Sequence, residues 1–274
     1  MLGNTLLRYF SSAKDWNVFG TVRSDRYKNL FPNNLADKIF SDIDVLSTDK
    51  LLSVLGEIKP AIVINCIGVV KQLKAAEDPL ITLPINSLLP HKLANLCELI
   101  GARLIHFSTD CVFSGSKGMY VESDIADADD LYGRSKYLGE ARGKNAITLR
   151  TSIIGHELEG SRSLVDWFLA QKNKVKGFEG AIFSGLPTVE IAKILDELVI
   201  PNPNLKGLYH LSVDPINKFK LLNLIAAQYG KSIEIIAEDQ YKIDRSLDSE
   251  RFRKATGFTP KPWIQLIKEM HAFK

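Results

Sequence analysis

Tyr132 and Lys136 stand four residues apart in Tyr132-Gly133-Arg134-Ser135-Lys136, downstream of the segment Ser108-Thr109-Asp110. On a helix, residues four apart share a face, with Cβ atoms about 5–6 Å from each other. A free phenol has a pKa of about 10, too high for proton transfer near neutrality. A neighbouring ammonium favours the phenolate and lowers that value, so the pair can give or take a proton. Thr109 ends a run typical of a buried strand, which puts its hydroxyl at the carboxyl edge of a sheet, where open α/β sheets bind ligands. The chemistry that fits is proton transfer to an oxygen held between a phenol and a hydroxyl. Alone, Tyr-x-x-x-Lys would arise by chance about half a time in a chain of this length. Its position, on a helix one crossover beyond a strand ending in Ser-Thr, makes it informative.

The elements that must position these groups alternate. Asn17–Val22, Lys38–Ile43, Ala61–Ile67, Ala102–Ser108 and Ala146–Ser152 read as strands, the third and fourth as almost unbroken apolar runs. Thr5–Ala13, Thr48–Glu57, Ile85–Ile100 and Asp130–Ala141 read as helices between them. This alternation predicts an α/β fold, a Rossmann-like doubly wound parallel sheet with right-handed crossovers. After Ile153 helices dominate, at Ser161–Gln171, Val189–Val199, Lys218–Tyr229 and Pro262–Ala272, with short strands such as Leu208–Leu211 and Ile233–Ile236. Two parts are expected: residues 1–153 as the dinucleotide-binding part, and 154–274 as a smaller, mainly helical substrate lobe.

Composition narrows the function classes. The 274 residues include 35 Lys plus Arg and 32 Asp plus Glu, a formal net charge of +3. That balance points away from a nucleic-acid or membrane-surface protein. The longest apolar stretch, Ala61–Val70, is interrupted by Asn65 and is too short to cross a bilayer. No leader-like segment opens the sequence, and Cys66, Cys97 and Cys111 have no paired spacing, so the expected setting is a reducing cytoplasm. The five histidines show no ligand-like spacing, no metal is expected, and His106 reads as structural.

Several stretches, in this order, resemble the extended short-chain dehydrogenases/reductases. They are Phe107-Ser108-Thr109-Asp110-Cys111-Val112-Phe113-Ser114-Gly115, Tyr132–Lys136, Leu149-Arg150-Thr151-Ser152, Leu186-Pro187-Thr188, Gly207-Leu208-Tyr209-His210 and Arg245-Ser246-Leu247-Asp248. Within that family the chain is similar to the dTDP-4-dehydrorhamnose reductase group and related capsule and O-antigen nucleotide-sugar reductases. The resemblance implies that Tyr132 protonates a substrate ketone as hydride arrives from a nicotinamide. It implies that Thr109 hydrogen-bonds the same oxygen, and that Lys136 lowers the phenol's pKa and holds the nicotinamide ribose.

The cofactor implied is NADP(H), with NAD(H) as the alternative. Arg23, followed by Ser24 at the end of the second family strand, suits a 2′-phosphate, where NAD enzymes place an acid; an exposed loop arginine would look the same. Asp42-Ile43 resembles the adenine contact, and Cys66-Ile67-Gly68 the backbone that approaches the cofactor. The opening Met1-Leu2-Gly3 resembles only the tail of the family's G-x-x-G-x-x-G, with Gly3 as the third glycine. About ten residues of the pattern, a strand and half the turn, have no counterpart. The expectation is a truncated or mis-started reading frame of a competent reductase, whose sheet lacks a central strand; the alternative is a true variant that has lost the cofactor or fills the gap with another chain.

On the substrate side the candidates are Lys71, Gln72, Thr109 and Arg245. A guanidinium suits a diphosphate, although helix capping by Ser246 and Asp248 would account for part of the Arg245 segment. The 4,6-dehydratases resemble Thr-Asp-Glu where this chain has Thr109-Asp110-Cys111, which disfavours dehydration; a nucleotide-sugar epimerase, which also uses Tyr-x-x-x-Lys, stays an alternative although its usual Ser-Ser-x-x-x-Tyr is replaced here. The expected partners are a nucleotide-diphosphate sugar and, in a homodimer, a second copy. The rival is a non-catalytic regulatory homologue of the same fold, resembling the β subunit of methionine adenosyltransferase.

Overall fold

The apolar run ending in Thr109 becomes a strand buried along its whole length. The computed structural model describes residues 1–13 and 15–274. Its first five strands are β1 (Gly20–Thr21), β2 (Ile39–Phe40), β3 (Ile62–Asn65), β4 (Arg103–Thr109) and β5 (Ala146–Thr151). All seven residues of β4 and all six of β5 are buried, as parallel strands covered on both faces require. β3, β4 and β5 pair in parallel with Ile64 opposite Ile105 and Ile105 opposite Ile147.

Side chains alternate between two helical layers, because successive Cβ atoms of a strand point to opposite faces. The helices of the first half are α1 (Leu2–Ser12), the single turns α2 (Asp25–Lys28) and α3 (Asn33–Ala36), α4 (Thr48–Ile58), the turn α5 (Pro79–Thr82), α6 (Leu89–Leu99) and α7 (Leu131–Leu138). Leu104 and Ala146 pack with Leu51 of α4 and with Leu89, Leu93 and Cys97 of α6. Ile105, Phe107, Ile147 and Leu149 pack on the other face with Leu2, Leu6 and Phe10 of α1. The second half supplies α8 (Leu164–Ala170), α9 (Thr188–Ile194), α10 (Lys218–Tyr229), α11 (Glu250–Thr256) and α12 (Trp263–Ala272). Ile191 and Ala192 of α9 and Leu266 of α12 join the same core as α1, so this core draws on both halves of the chain.

The remaining strands are β6 (Ile153–Ile154), β7 (Val175–Phe178), β8 (Ala181–Phe183), β9 (Leu186–Pro187), β10 (Gly207–His210), β11 (Ile216–Asn217), β12 (Ile235–Glu238) and β13 (Ile243–Asp244). The sequence places the Leu208–Leu211 strand in the smaller lobe. The structure instead adds β10 in parallel to β5, giving the main sheet the order β10-β5-β4-β3. Tyr209 and Leu211 face the main core, which accounts for that choice. β12 pairs with β7, and β8 lies between β11 and β13, in small separate sheets.

β1 and β2 pair with each other in parallel but form a sheet of their own. Among the described residues no ladder joins them to β3, and both are two residues long where the sequence predicts six. Without a hydrogen-bonded flank, little ladder is left to hold the ends extended. α1 lies against both pieces. A Cβ on Gly20 of β1 would meet the Leu7 methyls at 3.6 Å, and one on Gly3 would meet Cys66, just past β3, at 3.5 Å. Among the described residues no helix is long and apolar enough to cross a membrane.

Candidate active site

β4 delivers Thr109 to its carboxyl end, buried, with its hydroxyl donating to Asp110 Oδ1 at 3.1 Å and accepting from the Cys111 amide at 3.1 Å. α7 then presents Tyr132 and Lys136. Its N-cap is Asp130, which accepts from the Gly133 amide at 2.7 Å. The helix lies very close to its neighbours. A Cβ on Gly133 would stand 2.2 Å from the Cys111 carbonyl oxygen, and one on Gly139 would stand 1.9 Å from that of Asn86. Gly133 lets α7 approach the segment after β4, and so brings the phenol to Thr109, while Gly139 lets the end of the helix approach the turn that carries Asn86.

Lys136 is buried, and its ammonium donates to the Phe107 carbonyl at 2.7 Å. Burial lowers its pKa to about 8, with the Glu140 carboxylate pulling it back up. Tyr132 is half-buried. Burial raises the phenol above its ordinary range, Cys111, Asp110 and Asp130 add to the rise, and the Thr109 hydroxyl offsets part of it. The sequence predicts that Lys136 lowers the phenol's pKa. In the structure the ammonium donates to the Phe107 carbonyl, and burial is the largest influence on the phenol, which therefore holds its proton at neutral pH. Cys111 is pushed up to about 12, chiefly by burial, and is a neutral thiol beside the site.

Two features escaped the sequence reading. The helix predicted over Ile85–Ile100 begins as a π-helical turn, Leu83–Leu88, before α6. That turn buries Asn86, whose Oδ1 accepts from the Val69 amide at 2.8 Å and whose Nδ2 donates to the Val69 carbonyl and to Ser135 Oγ. Asn86 thus ties the loop after β3 to α7, and Ser87 repeats the tie by donating to the Ser135 carbonyl at 2.9 Å. The signal was an adjacent polar pair, Asn86-Ser87, inside an otherwise apolar helix.

The second feature is a buried ionic network behind Lys136. Arg150 of β5 donates through Nε and Nη2 to the two oxygens of Glu140, at 2.6 and 2.7 Å, and Ser108 Oγ donates to the same carboxylate at 2.8 Å. Arg150 Nη1 donates to His210 Nε2 at 3.2 Å, and His210 Nδ1 donates to the Tyr120 carbonyl at 2.9 Å. Burial, then the Arg150 charge, lowers the His210 pKa to about 3. The neutral form is favoured by folding, so the stability it carries is present above the unfolded value of about 6.5 and is lost as pH falls from there toward 3. His210 alone is expected to cost about 2 kcal/mol between pH 7 and pH 5. Urea unfolding at the two pH values measures the drop, and His210→Gln should shrink it.

The other sequence candidates fall in three places. Gly3, in α1, faces Cys66, and Gly68 sits where a Cβ would be 3.3 Å from Asn86 Oδ1, so Gly3, Cys66, Ile67 and Gly68 lie where α1 and the Asn86 turn approach the segment just past β3. Burial pushes the Cys66 thiol up to about 12. Arg23 is exposed just past β1, and Ser24 is the N-cap of α2. Asp42 is exposed with φ of 56°, its carbonyl accepting from Lys50 Nζ, while the Ile43 amide donates to the Val22 carbonyl. Asp42-Ile43 therefore lie just beyond β2 and not within it. Lys71 is not free for a ligand: its ammonium pairs with Asp130 at 2.5 Å, across the mouth of α7. Gln72 is exposed nearby. Arg245 donates through Nε to the Phe113 carbonyl at 2.7 Å, with Nη1 3.9 Å from Cys111 Sγ, which brings it to the segment after Thr109. Asp248 accepts from the Glu250 amide at 2.7 Å just ahead of α11, whose N-cap is Ser249, whereas Ser246 donates to Asp244.

A model of the RmlD substrate binding domain family matches residues 1–273. The chain belongs to this family. Among the relatives of this RmlD-type chain, the dTDP-4-dehydrorhamnose reductase of Aggregatibacter actinomycetemcomitans is 24% identical, over 85% of this chain and 88% of its own length. Methionine adenosyltransferase 2 subunit beta of Xenopus laevis is 24% identical over 96% of this chain and 76% of its own. The dTDP-4-dehydrorhamnose reductase of Bacillus anthracis, solved in complex with NADP, has the same fold, with a TM-score of 0.74 at 19% identity, covering 93% of this chain and 98% of that one. The RmlD-type fold is the α/β, Rossmann-like architecture that the strand–helix alternation predicts.

The residues of this RmlD-type site fit a dinucleotide on its nicotinamide side. Lys136, nine-tenths buried, spends one of its three donors on Phe107, which leaves two for ribose hydroxyls.

Proposed function

We propose that the chain is a reductase of a nucleotide-diphosphate 4-keto-6-deoxy sugar, with NADPH as donor, serving surface-polysaccharide synthesis in the cytoplasm. The observation that carries this reading is the convergence of Thr109, Tyr132 and Lys136 at the carboxyl end of β4. Bound NADPH supplies the hydride. Tyr132, protonated at neutral pH, gives its proton to the ketone oxygen as the alcohol forms, and Thr109 orients that oxygen from the other side. Lys136 holds the ribose and keeps a positive charge close to the forming tyrosinate, which water then reprotonates. Gly3, Cys66, Ile67 and Gly68 form the cofactor wall, Asp42 and Ile43 the adenine end, and Arg23 with Ser24 the 2′-phosphate contact that favours NADPH over NADH. Lys71, through Asp130, and Gln72 rim the substrate side. Leu88 and Leu138, 65% and 58% exposed on neighbouring helical turns beside the site, support a homodimer.

Mixing the protein with NADPH and a panel of nucleotide-linked 4-keto-6-deoxy sugars tests this directly. NADPH absorbance should fall with at least one sugar, and the rate should decline as pH rises through about 8, where Lys136 loses its proton. No oxidation with any sugar would reject the reductase reading. A second reading, a regulatory partner of the same fold, draws support from the likeness to methionine adenosyltransferase 2 subunit beta and from the interruption of the sheet between β1 and β3. It predicts no turnover.

A further inference from the structure

Lys136 sits where its charge is hard to keep. It is buried, its ammonium donates to an uncharged group, the Phe107 carbonyl, and burial brings its pKa down to about 8. A cation so enclosed needs a negative group close by.

The chain supplies one four residues on. β4 receives the end of α7 at two consecutive positions: Phe107 accepts from Lys136 through its carbonyl, and Ser108 donates its hydroxyl to Glu140 at 2.8 Å. The carboxylate is thereby docked on the residue next to the ammonium's anchor. Arg150, which lies opposite Ser108 on β5, fills both of its oxygens at 2.6 and 2.7 Å. Arg150 is itself fixed, by His210 and by the Phe113 ring, whose centre is 5.2 Å from the guanidinium carbon. Glu140 is therefore pinned by three donors, none of them from Lys136. It acts on the ammonium through space, and it is not free to swing across and consume the donors left for a ribose.

The other ionisable groups around Lys136 offer no such charge. Tyr132 on its own helix holds its proton, burial keeps His106 of β4 neutral, and beyond β4 burial pushes Asp110 toward its neutral form and leaves Cys111 a thiol. Asp130, at the far end of α7, is paired with Lys71. His91 of α6, and Lys74 and Glu77 on the turn between β3 and α5, are exposed to water, which screens them. Glu140 is the group that works against the burial of the ammonium.

We infer that Glu140 is a positioning residue for Lys136: pinned by Arg150 and Ser108, its carboxylate keeps the ammonium charged where the site works and leaves its free donors to the cofactor. The inference rests on the reductase reading for the use made of Lys136, but the charge can be followed without turnover.

Two readouts test it. One is an NMR titration of the Lys136 ammonium in protein made with isotope-labelled lysine, its signal assigned by its loss in Lys136→Met. The other is the pH dependence of NADPH oxidation with a ketosugar. Glu140→Gln keeps the shape and removes the charge, so the titration and the falling limb of the rate should move down together by about one pH unit. Glu140→Asp, which keeps the charge, should bring both back most of the way. Glu190→Gln removes a similarly buried carboxylate from α9 and should leave both in place. Should Glu140→Gln not fold, the double variant Glu140→Leu with Arg150→Met, which leaves no lone buried charge, carries the same test and the same expected shift. A lower rate at every pH with an unmoved Lys136 titration would overturn the inference and leave Glu140 a structural residue, as would an equal shift in Glu190→Gln. A titration that moves in Glu140→Gln, with no oxidation of NADPH by any ketosugar in the unsubstituted protein, would uphold the inference and reject the reductase reading.

Discussion

Tyr132→Phe is expected to lower turnover by about 10²–10⁴-fold, the usual contribution of a positioned general acid, while NADPH affinity stays within a few-fold. The substitution removes one oxygen and leaves the ring packed beside Cys111 and Thr109. Thr109 is a poor replacement acid, because an aliphatic hydroxyl is far less acidic than a phenol. The phenol's raised pKa means that the proton to be delivered is present throughout the neutral range. Steady-state rates together with a fluorescence titration of NADPH separate chemistry from binding. Full turnover in Tyr132→Phe would remove the phenol from the proton-donor role.

The second large effect is on stability. Arg150→Met should destabilise the protein by about 3–5 kcal/mol, because it leaves the Glu140 carboxylate buried without its partner. Glu140 is 7% exposed and takes both of its short arginine contacts from Arg150, so water cannot make up the loss. Replacing both members together, Glu140→Leu with Arg150→Met, should recover much of the deficit, since a buried pair is roughly balanced by apolar residues of similar volume. Denaturant unfolding of the two single variants and the double variant gives the coupling energy. Near-additive effects would mean that the pair does not act as a unit.

Much of this site is written in local sequence. Thr109 follows a run so apolar that a central strand is the natural reading, and Tyr132 with Lys136 needs only helical spacing to share a face. What the sequence did not reveal depends on contacts between distant segments. Asn86 became visible only through the π-helical turn that swings it toward Ser135. The orientation of Lys136 depends on the Phe107 carbonyl, a backbone group with no sequence signature. The short β1 and β2 mark the opposite case: β-branched patterning predicts longer strands, but an unpaired flank leaves them little to hold on to.

The position of β10 has a consequence for how the molecule comes into being. Its partner β5 ends at Thr151, whereas β10 begins only at Gly207. A chain emerging from the ribosome must therefore carry the outer border of its main sheet uncapped while the whole intervening stretch is made. Pairings so distant along the chain are slow to close and leave strand borders exposed meanwhile. Nascent chains of this protein are thus most exposed to self-association, and most in need of chaperones, in the interval before residue 210 appears.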